Sequence, residues 1–187
     1  MVLMMYRLFD VILSALGLAL LMPILFLILL IGWFDAHHPI FCQQRLGRDK
    51  VPFTLLKFRT MAPNTPSVAT HLVSSHAITR LGGFLRRAKL DELPQFWNVF
   101  IGEMSLVGPR PGLPNQPELT TARERLGVFR VRPGITGLAQ VRGVDMSTPD
   151  LLARTDAQMI AEMSVRNYFK YIFLTVLGKG SGDRVKS

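Results

Sequence analysis

Val11–Phe34, VILSALGLALLMPILFLILLIGWF, is 24 residues without a charged side chain, and its reading decides the fold. At ~1.5 Å per residue a straight helix of this length reaches about 36 Å, enough to cross a hydrocarbon core of roughly 30 Å. A secretory signal does not fit: the apolar part is too long and no small-residue cleavage pattern follows it. Pro23 falls at the middle of the run, where a ring without an N–H kinks or breaks a helix. Both flanks are basic, with Arg7 before the run and Arg45, Arg48 and Lys50 after it. Each flank asks to stay on the cytoplasmic side. A re-entrant hairpin bent at Pro23 satisfies both, with Trp33 and Asp35–Pro39 marking the return to the interface. A single span also stands, because proline is tolerated in many spanning helices.

Outside this run the chain is strongly cationic. The 187 residues carry a net charge of +9, with a pI near 10.4 and a mean hydropathy of +0.27. That balance calls for an anionic partner: nucleic acid, a lipid surface or phosphate-rich substrates. The apolar excess concentrated in one segment argues against a free nucleic-acid binder. The length suits one domain with an appendage. A single cysteine, Cys42, excludes an internal disulfide and any multi-cysteine metal site.

From Lys50 to Lys89 there are seven Lys or Arg and no Asp or Glu. The next acids are the adjacent pair Asp91 and Glu92, in Ala88-Lys89-Leu90-Asp91-Glu92-Leu93-Pro94-Gln95-Phe96-Trp97-Asn98. Proline is accepted in the first turn of a helix, so Pro94 predicts a helix beginning near Leu93. The two carboxylates then lie at its N-terminus, where the dipole favours ionised acids. A negative pair in a positive surface suits a divalent metal and a phosphorylated substrate together. An ordinary helix-start signal explains the same two residues.

Around this pair, Ile40–Gln44 and Val51–Phe58 read as extended runs about a turn at Gly47-Arg48-Asp49. Met61–Ser75 reads as a loop. His71 and His76 have no third ligand at metal spacing and are passed by. Thr79–Leu90 is predicted as an amphipathic helix with Leu81, Phe84, Leu85 and Ala88 on one face, and Leu93, Phe96, Trp97 and Phe100 repeat that spacing. Such helices beside a membrane segment suit the headgroup region. Arg110 stands between Pro109 and Pro111, on a stiff backbone suited to a phosphate clamp; a plain proline-rich loop is the competing reading. Arg132-Pro133-Gly134-Ile135-Thr136-Gly137 offers a cation and a glycine-bearing turn that could bring backbone N–H groups to a phosphate. Leu151–Met163 and Asn167–Leu177 read as helices, the second too short to span a membrane, and Gly178–Ser187 as a polar tail. No nucleotide-binding loop, dinucleotide fingerprint, zinc pattern or internal repeat is present.

Several ordered blocks resemble the bacterial sugar transferase family, the monotopic phosphoglycosyl transferases acting on polyprenyl phosphate. The blocks are Leu90–Gln95 with Trp97-Asn98, Gly102–Pro111, Pro133–Val141 and Lys57–Met61. With the N-terminal helix they cover nearly the whole chain, which looks like the minimal form of the family. The resemblance implies a mainly α fold with a small β-hairpin. Residues 1–38 would form a re-entrant membrane helix broken at Pro23, and residues 39–187 a compact catalytic domain with amphipathic interfacial helices. It implies a bacterial inner-membrane enzyme on the cytoplasmic face. That enzyme would transfer a sugar-1-phosphate from a UDP-sugar to polyprenyl phosphate with release of UMP, at the start of glycoconjugate assembly. In family terms Asp91 is the nucleophile, Glu92 its partner, and Mg²⁺ binds both. Lys57, Arg59, Arg87, Arg110, Thr136, Arg142 and Asp156 form the implied substrate-contacting set. Membrane lipids are implied partners and nucleic acid is not; self-association is left open.

The chain departs from the family pattern at three places. Tyr6-Arg7, followed by Asp10, stands where Lys-Arg is common. Met22-Pro23 replaces Ser-Pro at the helix break. Arg142-Gly143-Val144 follows Gln140-Val141 where Asn-Gly-Arg is usual, which shifts the position of the arginine. Two other classes compete with a transferase: a membrane-surface scaffold holding anionic lipid, and a catalytically degraded nucleotide-sugar binder.

Overall fold

A computed structural model describes residues 2–62, 65 and 77–179. The chain opens on α1, Val2–Ala36, a helix of 35 residues. It stays helical across Pro23, so the break expected there is corrected to a continuous helix. Proline removes one donor, the partner of the Ala19 carbonyl, while the good helix formers on either side keep theirs.

Two strands follow, β1 (Ile40–Leu46) and β2 (Pro52–Phe58), paired antiparallel as the sequence predicts. Phe41, Gln43 and Arg45 lie opposite Lys57, Leu55 and Phe53 and share one face, since side chains alternate along a strand. Met61 bridges to Ile78 and closes the segment between the hairpin and the next helix. Of the expected loop only Met61, Ala62 and Thr65 are described; His71, His76 and residues 180–187 lie outside the described residues.

The next helix, α2, covers Arg80–Arg87, and the Thr79 hydroxyl accepts from the Gly82 N–H at 2.9 Å as its N-cap. It ends earlier than Leu90 because Lys89 turns left-handed, with φ 56°. A single 3₁₀ turn over Leu90–Glu92 leads through Pro94 into α3, Gln95–Ile101. Of the predicted apolar stripes, Leu85 is buried and Leu81, Leu93 and Phe96 are partly so. Phe84, Trp97 and Phe100 instead face outward.

Two three-residue strands, β3 (Ser105–Val107) and β4 (Gly134–Thr136), run parallel and were not anticipated. Between them lies α4, Pro117–Arg125, and after them α5, Leu138–Arg142. Backbones meet directly at this sheet: a Cβ on Gly134 would stand 2.0 Å from the Gly108 nitrogen. The glycines of this segment therefore serve strand contact, where the sequence suggested a phosphate turn. The chain closes with α6 (Pro149–Ala161) and α7 (Val165–Val176), both near their expected positions.

The main core joins Phe53 and Leu55 of β2, Val99 of α3, Leu106 and Val107 of β3, Met159 of α6, and Tyr168 and Tyr171 of α7. Tyr6, Phe9 and Leu13 of α1 pack against it. A second cluster joins Ile28 of α1 to Phe58 and Leu85, with Leu25 and Leu29 alongside. Both halves of α1 are thus held by the same folded unit. Its most apolar stretch is nevertheless only 11% buried, and it is the one described helix long and apolar enough to cross a membrane. Leu8, Ile12, Leu16 and Leu20, spaced by four, are exposed, as are Phe26, Leu30 and Phe34. Trp97 and Ile101 on α3, and Phe169, Phe173 and Val176 on α7, add to this uncovered apolar surface.

Candidate active site

The Asp91–Glu92 turn is positioned from below by its own leucines. Leu90 and Leu93 pack into the cluster around Ile28 of α1, and the turn abuts α2 and β2. Asp91 and Glu92 remain partly exposed. The turn therefore sits beside the membrane-type helix with its carboxylates reachable from water.

Arg110 meets this turn directly. Its Nη2 donates to Glu92 Oε1 at 2.7 Å, in a pair whose side chains keep 22% and 18% of their exposure. Such a charge-assisted contact fixes both partners. The loop carrying Arg110 is held at four successive carbonyls. Pro109 accepts from the Gly134 N–H at 2.8 Å, Arg110 from Arg123 Nη1 at 2.9 Å, Pro111 from Arg45 Nη1 at 2.9 Å, and Gly112 from the Leu46 N–H at 2.9 Å. These bonds, in addition to the two prolines, hold the backbone that carries Arg110.

Asp156 has its place in the same network. It is fully buried and its Oδ2 accepts from Nε and Nη2 of Arg123, at 3.0 and 2.7 Å. Arg123 in turn holds the Arg110 carbonyl, so Asp156 acts on the site through two arginines. Arg123, Arg45 and Asn98 were missed by sequence reading. Asn98 is buried on α3 and ties it to β2, accepting from the Leu56 N–H at 3.1 Å and donating to the Thr54 carbonyl at 2.8 Å. An Asn inside an apolar helix was the signal available for it.

Lys57 and Arg59 share one face at the end of β2, each cation 5.3 Å from the Phe41 ring centre. Arg59 Nε also donates to the His38 carbonyl at 2.8 Å, tying the exit of α1 to the hairpin. Arg87 is exposed on the last turn of α2. Lys89 precedes the carboxylates and donates to the Lys179 carbonyl at 2.8 Å. Burial pushes its ammonium below the usual lysine range, and the charge of Glu92 pulls it back up. The buried Thr136 hydroxyl pairs with that of Thr175, and its carbonyl accepts from the Gly108 N–H at 2.8 Å, two residues before Arg110; Arg142 donates to Gln158 at 3.1 Å.

Among the described residues no group of three His, Cys, Asp or Glu is placed to hold a metal. Two adjacent carboxylates fit Mg²⁺, which commonly takes one or two acids and completes its shell with water and substrate phosphates.

The fold and site define a small, mostly helical domain joined to one long apolar helix and carrying paired carboxylates beside an arginine. The chain belongs to the bacterial sugar transferase family, which it matches over residues 1–179. It is 39% identical over 91% of its length to the undecaprenyl-phosphate glucose phosphotransferase of Komagataeibacter xylinus, covering 35% of that protein. It is 43% identical over 74% of its length to a UDP-glucose:undecaprenyl-phosphate glucose-1-phosphate transferase of Caulobacter vibrioides, covering 54% of it. The transferase of that same name from Escherichia coli is 38% identical over 89% of this chain and is covered to 38%. The chain thus spans about a third to a half of the length of these relatives.

Proposed function

We propose that this protein transfers a sugar-1-phosphate from a UDP-sugar to polyprenyl phosphate, releasing UMP, at the cytoplasmic face of the bacterial inner membrane. The observation that carries the reading is the Glu92–Arg110 contact beside Asp91, on a partly exposed turn packed against α1. A water-soluble donor and a lipid acceptor can both reach such a place.

Asp91 is the nucleophile. Its carboxylate oxygen forms a bond to the sugar-bearing phosphorus, the bond from that phosphorus to the bridging oxygen breaks, and UMP departs with that oxygen and its electron pair. The phosphate oxygen of the polyprenyl acceptor then attacks the same phosphorus and returns the Asp91 carboxylate. Dividing the transfer in two lets the donor leave before the acceptor arrives. Arg110 holds the diphosphate oxygens on which charge concentrates, in a position its four anchored carbonyls fix beforehand. Lys57, Arg59 and Arg87 add positive potential on the approach, and Glu92 keeps Arg110 aimed between turnovers. Asp91 and Glu92 would hold Mg²⁺, which when bound neutralises charge on the diphosphate. Thr136 on β4 and Arg142 on α5 are assigned to donor contacts.

The apolar run of α1 enters and leaves the cytoplasmic leaflet as one helix bent at Pro23, where the missing hydrogen bond favours a kink, with the outward aromatics of α3 and α7 at headgroup height. The support is that α1 is bound to a single folded unit on both sides of Pro23.

The test is UMP release by detergent-solubilised protein given Mg²⁺, undecaprenyl phosphate and a panel of UDP-sugars. Release with at least one donor, abolished by Asp91→Asn, is expected. Without acceptor, intact-mass measurement should show one phosphosugar added to the wild type and none to Asp91→Asn. Saturable UDP-sugar binding with no UMP from any donor would sink the proposal in favour of a binder.

A further inference from the structure

On the side of the domain where the first turns of α1 dock, a cavity of about 240 Å³ is lined by Arg7, Arg48, Arg130 and Arg132. Asp10 is the only acid among its lining residues, and it is 2% exposed with its Oδ1 already accepting from Ser105, Leu106 and Tyr168. Four guanidinium groups therefore face one engaged carboxylate. Arg48 also pairs with Asp49 at 3.0 Å, on the exposed side of the turn.

These arginines are differently committed. Arg7 caps α3 by donating to the Val99 and Phe100 carbonyls at 2.6 and 2.7 Å. Arg132 gives Nε to the Gly102 carbonyl at 2.8 Å, and its two other nitrogens have no partner among the described residues. The Arg130 side chain makes no hydrogen bond or ion pair among the described residues. Burial, and then the charges of Arg7 and Arg48, push the Arg132 guanidinium below its usual range. Arg48 and Arg130 are exposed, so water screens their repulsion, while the summed positive potential of the four draws an anion into the hollow. The opposite wall is apolar, with Met159, Ile160 and Met163. None of Asp91, Glu92 or Arg110 lines the cavity.

We propose that this cavity is a second anion site that binds a phosphate ester, either the phosphate of an anionic lipid headgroup or a soluble phosphate monoester. Guanidinium forks match phosphate oxygens two at a time, and the apolar wall suits the carbon part of such a molecule. The lipid source rests on α1 lying in the membrane, where basic pockets beside membrane helices take anionic headgroups; the soluble source does not.

The test titrates glycerol 3-phosphate into the full chain in neutral detergent by calorimetry. Saturable binding is expected for the wild type, for Asp91→Asn and for Arg110→Gln. Binding at least tenfold weaker is expected for the double variant Arg48→Gln/Arg130→Gln, and for Arg130→Glu, with thermal melts like the wild type. Repeating the titration in nanodiscs separates the sources. Binding lost in phosphatidylglycerol discs and kept in phosphatidylcholine discs identifies the lipid headgroup; binding kept in both identifies a soluble ester. No binding by the wild type overturns the proposal, as does loss in Arg110→Gln with the double variant unaffected. If the wild type released no UMP while these titrations held, the transferase reading alone would fail.

Discussion

At the scale of single residues, what matters is how firmly Arg110 is aimed. Arg110→Lys keeps a positive charge but loses the fork, and a fork and a point charge are not interchangeable at a phosphate. The expected result is a fall in kcat/KM of about 100-fold with an unchanged thermal melt, the lower end of what losing one donor to developing charge costs. Asp156→Asn acts at one remove. It leaves the buried Arg123 without its counter-charge, a change that costs about 3–5 kcal/mol when one partner of a buried pair is removed. A lowered melting temperature should accompany reduced kcat, and a variant with normal stability would contradict this account of Asp156. Lys89 supplies the pH dependence. Its pKa is lowered from 10.5 by burial, so just below that pH the unfolded chain holds a proton that the folded chain has lost. Stability from this group therefore rises with pH across that window. Activity should do the opposite, because the ammonium beside Glu92 is disappearing. The alkaline limb of the pH–rate profile should move to higher pH in Lys89→Arg; identical limbs would remove Lys89 from the site.

At the scale of elements, the polar anchor of the first half of helix α1 is a buried carboxylate, beside the packing of Tyr6, Phe9 and Leu13. Asp10 Oδ1 accepts from Ser105 Oγ at 2.9 Å, from the Leu106 N–H at 2.8 Å and from Tyr168 Oη at 2.7 Å. Asp10→Leu strands three donors, each costing about 1–3 kcal/mol when buried without a partner. Tyr168→Phe removes one donor and should cost about 1 kcal/mol. Limited proteolysis should show the first half of α1 released in the former and retained in the latter. The sequence displayed Asp10 only as an acid near an apolar run, because its three partners lie about 95 to 158 positions away. Local periodicity, by contrast, placed the β1–β2 hairpin, α2, α6 and α7 within a few residues. The Asp91–Glu92 turn and Arg110 were also legible, since their charges break a pattern. Arg123 was not: it reads as one more cation on an exposed helix until Asp156 is brought against it. The strands β3 and β4 have three residues each and are made by two glycines crossing, a contact that no periodicity encodes. The helix through Pro23 failed for the opposite reason, a strong local rule that long apolar flanks outweighed.

At the scale of the whole molecule, the decisive relation is between α1 and the domain it serves. Asp10 and Ile28 are 18 positions apart, about 27 Å along a straight helix and close to the roughly 30 Å of a hydrocarbon core. Were α1 to span the bilayer, the partners of Asp10 and those of Ile28 would lie near opposite faces. They belong to one folded unit, with Tyr168 and Ser105 at one end and Phe58 and Leu85 at the other. That unit also carries Arg45, Asp156 and Arg123 in its interior, and such polar groups do not favour a position in lipid. Both ends of α1 should therefore lie on the same side of the membrane, which in the proposed function is the cytoplasmic one. Cys42, exposed and the only cysteine in the chain, reports the C-terminal end without any change to the protein. A cysteine added ahead of Met1, in a Cys42→Ser background, reports the other end. A membrane-impermeant maleimide should label both in inverted inner-membrane vesicles and neither in intact spheroplasts. Labelling of the added cysteine in spheroplasts, with Cys42 still protected, would show that α1 crosses the bilayer, and the shared leaflet proposed for donor and acceptor would have to be given up.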